Sequence, residues 1–155
     1  MWNKENKEKK EKKPAFTYLL ELISRQDYSK SRLKAKLLRK EYSEEETEAA
    51  LQKLEELRLL NDKETAKSQF RFLYEGSKNS VKEIKYKLLR RGFSREDIEE
   101  AVPETNEERE LSAAIKALSV KFRKNKDIMK MRSYLYRHGF SGDICRRAVN
   151  EFLEE

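Results

Sequence analysis

The chain has 155 residues, of which 42% are charged and 37% hydrophobic, and its formal net charge is +7. Only four Gly and two Pro are present, too few for the turns of most strand-rich folds, so composition favours an all-helical protein. The lack of a long apolar run excludes a membrane span, and a lone cysteine argues against a secreted disulfide framework; we therefore expect a cytoplasmic protein.

The N-terminal segment predicts a tail without a core. Residues 1–14 hold six Lys against three Glu, and Asn3 to Lys13 contain no hydrophobic position. Such a segment buries nothing that offsets the entropy of ordering its backbone. We predict that residues 1–14 are disordered.

Helical periodicity begins directly after this tail. Phe16, Leu19, Leu20 and Ile23 recur at the spacing of one helix face, which predicts a first helix that begins near Ala15. Comparable amphipathic stretches occur twice more, with apolar residues at Ala66, Phe70, Leu73 and Tyr74, and at Leu111, Ile115, Leu118 and Phe122.

An internal repeat is the main signal in the sequence. An aromatic-serine pair occurs at residues 42–43, 93–94 and 140–141, at offsets of 51 and 47 residues. Around it a 19-residue block aligns without gaps. Its matching columns are Leu33/Ile84/Met131, Leu37/Leu88/Leu135, Arg39/Arg90/Arg137, Ala50/Ala101/Ala148 and Leu51/Val102/Val149.

The aromatic-serine pair separates two helices in each block. Gly92 and Gly139 precede it in two copies and can adopt the left-handed backbone that ends a helix. Glu41 stands at this position in the first copy, where we expect some strain or a different termination.

The serine that follows predicts the start of the next helix. Ser43 with Glu46, and Ser94 with Asp97, have the spacing of a capping box. The third copy has Ile144 at the acidic position and lacks the box.

Three helices per repeat follow from these signals. We predict repeats over residues 15–60, 61–104 and 105–155, with Asp62 as a cap and with Pro103 ending the sixth helix. Units of about 45 residues bury too little alone and must stack on neighbours. The predicted fold is all-α, an elongated array of three tandem three-helix repeats.

Catalytic groups are scarce. His138 is the only histidine and Cys145 the only cysteine. Cys145 aligns with Ile98 and Thr47, which favours a core position over a nucleophile, and a lone imidazole cannot hold zinc. With no phosphate loop or paired-cysteine motif either, we expect no enzyme, no metal and no cofactor.

Clustered cations are the best candidates for a binding site. The densest run carries a net charge of +6 over 17 residues and consists of Lys116, Lys121, Arg123, Lys124, Lys126, Lys130 and Arg132 with Asp127. A second group consists of Lys85, Lys87, Arg90, Arg91 and Arg95, to which the repeat adds Arg137. We expect Lys87, Arg90 and Arg91 to share a helix face away from Ile84 and Leu88, and both groups to meet one polyanion.

Four tyrosines leave two interpretations open. Tyr74, Tyr86, Tyr134 and Tyr136 are candidates for stacking on unpaired bases, but helical spacing favours core filling for at least half of them.

Four segments resemble the RecX family of bacterial recombinase regulators. They are Tyr28-Ser29 to Lys40, Leu57 to Asp62, the Leu-Leu-Arg-Arg-Gly-Phe segment 88–93, and the Tyr-Leu-Tyr-Arg-His-Gly-Phe-Ser segment 134–141. The resemblance spans Ala15 to about Leu153. Glu41 in place of the usual glycine, and Arg32 in place of an acidic helix-start residue, depart from the family pattern.

The resemblance implies a function as well as a fold. It implies a partner, a RecA-type recombinase filament on single-stranded DNA, whose growth, ATP hydrolysis and strand exchange the protein limits during recombination, DNA repair and the SOS response. Contact with DNA phosphates alone would be weak. Two alternatives remain: a general DNA-binding protein that uses helix pairs such as Ser80 to Val102, and a helical scaffold for protein partners.

Overall fold

The computed structural model describes residues 12–155, and every regular element within this range is an α-helix. The all-helical prediction is confirmed. In chain order the helices are α1 (Ala15–Arg25), α2 (Lys30–Arg39), α3 (Glu44–Glu56), α4 (Asp62–Tyr74), α5 (Val81–Arg90), α6 (Arg95–Ala101), α7 (Glu107–Lys121), α8 (Ile128–Arg137) and α9 (Gly142–Glu154). None of these described helices has the length and apolarity that crossing a membrane requires.

Each set of three consecutive helices encloses its own hydrophobic cluster. The predicted core columns lie inside these clusters. Both apolar columns of the middle helices are fully buried in every copy: Leu33 and Leu37, Ile84 and Leu88, Met131 and Leu135. The repeat therefore recurs in the packing as well as in the sequence, as expected for tandem three-helix repeats.

The chain divides into two compact units. One ends at Asn61 and contains α1 to α3, and the other runs Asp62–Glu155 and contains α4 to α9. Each predicted repeat contains three of the helices, but the exact repeat bounds and the elongated arrangement stay predictions. α4 begins at Asp62 itself, so Asp62 lies in its first turn instead of before it.

The third helix of the second repeat is shorter than its counterparts. α6 has 7 residues whereas α3 and α9 have 13. Pro103 disfavours helical backbone at Val102, which is extended with φ −76° and ψ 127°. Ala101 and Val102 are consequently half-buried, whereas the matching residues of the other two copies are buried.

A serine or aspartate caps the middle helix of every repeat. Ser29, Ser80 and Asp127 occupy one column of the alignment and accept from the backbone N–H three residues later at 3.1 to 3.2 Å. The third helices are capped by serine in the same way, and the capping box of Ser43 with Glu46 is complete. Local capping therefore fixes six helix starts at equivalent positions.

The turn between the second and third helices has one geometry in all three repeats. Gly92 and Gly139 adopt left-handed backbone, and Glu41 adopts it too, with φ 64°. In each copy the aromatic N–H donates to a leucine carbonyl five residues earlier, at 3.2 to 3.3 Å, which closes a Schellman motif. Glu41 therefore keeps the geometry of the glycine at the cost of an unfavourable φ.

The described residues begin three positions before α1, at residue 12. The predicted tail lies outside the described residues up to residue 11. Of its last three residues, Lys13 pairs with Glu21 at 2.6 Å, and its carbonyl accepts from the Tyr42 hydroxyl at 2.6 Å. These contacts hold residues 12–14 on the first helical bundle.

Replacing Glu41 with glycine should stabilise the first unit. A side chain in left-handed backbone costs about 1 to 2 kcal/mol, partly offset by the greater freedom of glycine in the unfolded chain, so Glu41→Gly should gain about 0.5 to 1 kcal/mol. Hydrogen exchange of the α2 and α3 amides measures the gain. Gly139→Ala is the opposite control and should lose stability, because the added Cβ would lie 2.8 Å from Ser80 Oγ. Unchanged or faster exchange in Glu41→Gly would show that the backbone of Glu41 is not strained.

Candidate functional site

Within the second unit, Arg109 ties the loop after α4 to α7. Its guanidinium donates twice to the Tyr74 carbonyl, at 3.0 and 2.8 Å, and once to Ser77 Oγ at 3.1 Å. The same group lies 4.5 Å from the centre of the Tyr74 ring. Its neighbour Glu110 accepts from the Val81 N–H at 2.9 Å, which anchors the first turn of α5. α5 is thereby held at a fixed place beside the third repeat.

Ser80 joins the start of α5 to the end of α8. The residue is fully buried, accepts from the Glu83 N–H at 3.1 Å and donates to the His138 carbonyl at 2.6 Å. Gly139 packs so closely here that a Cβ would clash with Ser80 Oγ. Beside it, His138 Nδ1 lies 3.1 Å from the Glu83 carboxylate. His138 is half-buried, and its ring nitrogen is held by this contact with Glu83.

A groove opens where these helix ends meet. It lies between the outer face of α5, the start of α6 and the end of α8, and its volume is about 620 Å³. Tyr86 and Tyr136 line it with 60% and 70% of their surfaces exposed, and Leu89 also lines it with 40% exposed. We call it the tyrosine groove.

Four cations line the tyrosine groove: Lys82, Lys85, Arg95 and Arg137. Lys85 forms an ion pair with Glu99 at 2.8 Å. Within residues 12–155 the other three pair with no carboxylate, although Arg137 Nε donates to the Ser133 carbonyl at 3.3 Å. The groove therefore combines exposed aromatic rings with uncompensated positive charge.

The predicted cations of the middle repeat divide into two kinds. Lys85 and Arg95 line the groove, whereas Lys87 and Arg91 are half-buried and bond to neighbouring amides, Asn79 at 3.1 Å and Gln69 at 2.8 Å. Of the three residues expected on a face away from Ile84 and Leu88, only Arg90 is fully exposed, because α4 and its following loop lie against the other two. Their contact with a partner stays a prediction. Arg90 is exposed, with its guanidinium 5.8 Å from the centre of the Tyr86 ring.

The predicted run of cations in the third repeat does not line the groove. Lys116 donates to the Gly76 carbonyl, and Lys126 lies 5.2 Å from the centre of the Phe152 ring. The other members are exposed at the end of α7, in the next loop and on α8: Lys121, Arg123, Lys124, Lys130 and Arg132. Their role in partner binding stays a prediction.

The four candidate tyrosines separate evenly. Tyr74 donates to Asn106 at 2.8 Å, and Tyr134 packs edge-on against Phe122 at 5.6 Å, so these two half-buried residues pack against the core. Tyr86 and Tyr136 are the exposed pair. The repeat alignment contains a signal for the exposure of Tyr136. Tyr136 aligns with Leu89 and Leu38, and all three are exposed apolar residues immediately before the repeated arginine.

Cys145 is a core residue, as its alignment predicted. It is 4% exposed, and burial raises the pKa of its thiol. Among residues 12–155, no three His, Cys, Asp or Glu side chains are grouped as metal ligands would be.

Known proteins share this architecture. The first three-helix domain of RecX matches residues 15–54. The regulatory protein RecX of Caldanaerobacter subterraneus subsp. tengcongensis is 31% identical over 142 residues, which cover 89% of this chain and 70% of that protein. The regulatory protein RecX of Thermus thermophilus is also 31% identical, and the match covers 91% of this chain and 94% of that protein.

This chain belongs to the RecX family. Two RecX crystal structures share its fold: that from Lactobacillus salivarius has a TM-score of 0.75 at 22% identity and covers 91% of this chain and 96% of its own. A second has a TM-score of 0.76 at 24% identity, with 91% of this chain and 72% of its own covered. The RecX relatives are named regulatory proteins, so membership places this chain among regulatory proteins.

Removing the Ser80 hydroxyl should loosen the groove. Ser80→Ala deletes a helix cap and leaves the His138 carbonyl without its donor, so we expect a loss of about 2 to 3 kcal/mol in the stability of α5 and α8. Ser94→Ala is the matched control, because Ser94 caps α6 at an exposed position and should cost about 1 kcal/mol. Hydrogen exchange of the helix amides compares them; equal losses would show that the link to α8 contributes nothing.

Burial should protect Cys145 from alkylation. A thiol with a raised pKa inside the core reacts only when the helix opens, so iodoacetamide at pH 8 should modify the folded protein roughly a hundredfold more slowly than the protein in urea. Mass spectrometry follows the reaction. Similar rates in both states would indicate an accessible, reactive cysteine.

Proposed function

We propose that this RecX family protein binds a RecA-type recombinase filament on single-stranded DNA and limits its growth, ATP hydrolysis and strand exchange. Membership of a family of regulatory proteins carries the proposal, since 31% identity extends over 94% of the Thermus thermophilus relative. Control of such filaments would place the protein in recombination, DNA repair and the SOS response, in the cytoplasm.

The chemistry of the second unit is compatible with this role. A recombinase filament on DNA is a repeating polyanion, and weak contacts made by several helical repeats would add up to useful avidity. The tyrosine groove offers three cations that no carboxylate of residues 12–155 neutralises: Lys82, Arg95 and Arg137. No reaction is needed, which agrees with a buried Cys145.

Two other functions are distinguished by their binding behaviour. A general DNA-binding protein would bind bare single-stranded DNA as tightly as the filament, with a steep dependence on salt. A helical scaffold for protein partners would tolerate charge reversal at exposed cations such as Lys124, Lys126 and Lys130. The proposed regulator should bind the filament tightly and bare DNA weakly.

Reversing two groove charges should weaken inhibition of the recombinase. The unaltered protein should lower the rate of ATP hydrolysis by a RecA-type recombinase on single-stranded DNA. The double variant Arg95→Glu, Arg137→Glu should be needed at about tenfold higher concentration for the same effect, because two attractive contacts become repulsive. Arg71→Glu with Lys78→Glu makes the same change of net charge at exposed residues outside the groove and should inhibit normally.

Two results would contradict these expectations. If the unaltered protein leaves ATP hydrolysis unchanged, or binds bare DNA and filament equally well, the proposed function fails. If both charge-reversed variants inhibit equally, the filament does not contact the groove.

A further inference from the structure

We propose that the tyrosine groove is a binding site for single-stranded nucleic acid, in which bases stack on Tyr86 and Tyr136 while Arg95 and Arg137 hold the flanking phosphates. The inference rests on the proposed function, because it assigns the direct contact with DNA to one place on the protein. It also goes further, since it predicts recognition of the bases themselves.

The two rings are available in a way that the other tyrosines of this unit are not. Tyr74 and Tyr134 are engaged in packing and hydrogen bonding, whereas Tyr86 and Tyr136 keep 60% and 70% of their surfaces exposed at the walls of one groove. Every nucleobase can stack on the face of an exposed aromatic ring. The Arg90 guanidinium lies over the Tyr86 ring, 5.8 Å from its centre, and its positive charge adds attraction for a strand.

The charge of the groove matches a phosphate backbone. Its two carboxylates are engaged, Glu99 with Lys85 at 2.8 Å and Glu83 with His138 at 3.1 Å. Arg95 and Arg137 have no carboxylate partner in the described chain, and a planar guanidinium can donate two parallel hydrogen bonds to one phosphate. The groove therefore favours a flexible anion that also carries flat apolar groups.

Single-stranded nucleic acid meets both requirements better than a duplex or an acidic peptide. In a duplex the bases are stacked on one another and their faces are closed to tyrosine. A peptide helix inserts aliphatic side chains into an apolar cleft, but the most exposed apolar surfaces in this groove are rings, and Leu89 contributes less. An unpaired strand supplies a base for each ring and a phosphate for each arginine.

The decisive experiment compares a strand with and without bases. Binding of the full chain to fluorescein-labelled oligothymidine and to an abasic oligonucleotide of equal length is measured by fluorescence anisotropy at low salt, with no recombinase present. Tyr86→Ala and Tyr136→Ala should each weaken oligothymidine binding about five- to tenfold, while abasic binding stays unchanged. Tyr86→Phe and Tyr136→Phe should bind like the unaltered protein.

Phe72→Ala is the matched control. Phe72 is 82% exposed on α4 of the same unit but does not line the groove, so losing its ring should not alter binding. Because all three aromatic residues are mostly exposed, their alanine variants should also keep the unaltered melting temperature, which circular dichroism measures.

Three results would overturn the inference. Equal affinity of the unaltered protein for both oligonucleotides, or unchanged binding by the tyrosine variants, would show that no base stacks there. If the variants instead lose binding only to a labelled Glu- and Leu-rich peptide, the groove binds a protein segment. The two proposals can fail separately. If a variant that has lost stacking still inhibits ATP hydrolysis, the proposed function stands. If the unaltered protein does not inhibit but its oligothymidine binding depends on both tyrosines, the groove proposal stands.

Discussion

The left-handed turn between the second and third helices is the constraint on which the rest of the structure depends. In every repeat it closes the second helix, directs an aromatic side chain into the core and leaves a serine to cap the next helix. In the third repeat it does more: the same turn presents the His138 carbonyl and the bare backbone of Gly139 to Ser80. A local device of helix termination thus also makes the contact between two repeats.

The tyrosine groove depends on that contact. The groove lies where the start of α5 meets the end of α8, and these two ends are far apart in the sequence. Ser80 and Glu83 are bonded to His138, which lies 58 and 55 residues further along the chain. The hydrogen bonds of Ser80 and Glu83 with His138 fix these ends, while Arg109 fixes the loop that leads into α5. A binding surface on anchored helices loses little conformational freedom when a partner arrives, so modest contacts at exposed tyrosines and arginines can contribute to affinity.

Periodicity and capping chemistry made the helices, the core columns and the turns predictable, because each depends on residues close in sequence. The groove was not predictable in the same way. Spacing places Lys87 and Arg91 on a face of their own helix but does not reveal that Gln69 and Asn79 cover that face. Equally, nothing near Tyr136 indicates that Tyr86, on another repeat, lines the same cavity.

The candidate site is formed by residues that differ between the repeats, and not by those that the repeats share. Core columns hold interchangeable apolar residues in all three copies, since each copy must bury the same kind of surface. Exposed columns have no such requirement: the position of Tyr86 is Ala35 in the first copy and Ser133 in the third. Exposed aromatic residues contribute little to folding, so two of them facing one charged groove are better explained by binding than by packing. The three repeats of this small helical chain therefore share one kind of core but differ in their exposed residues.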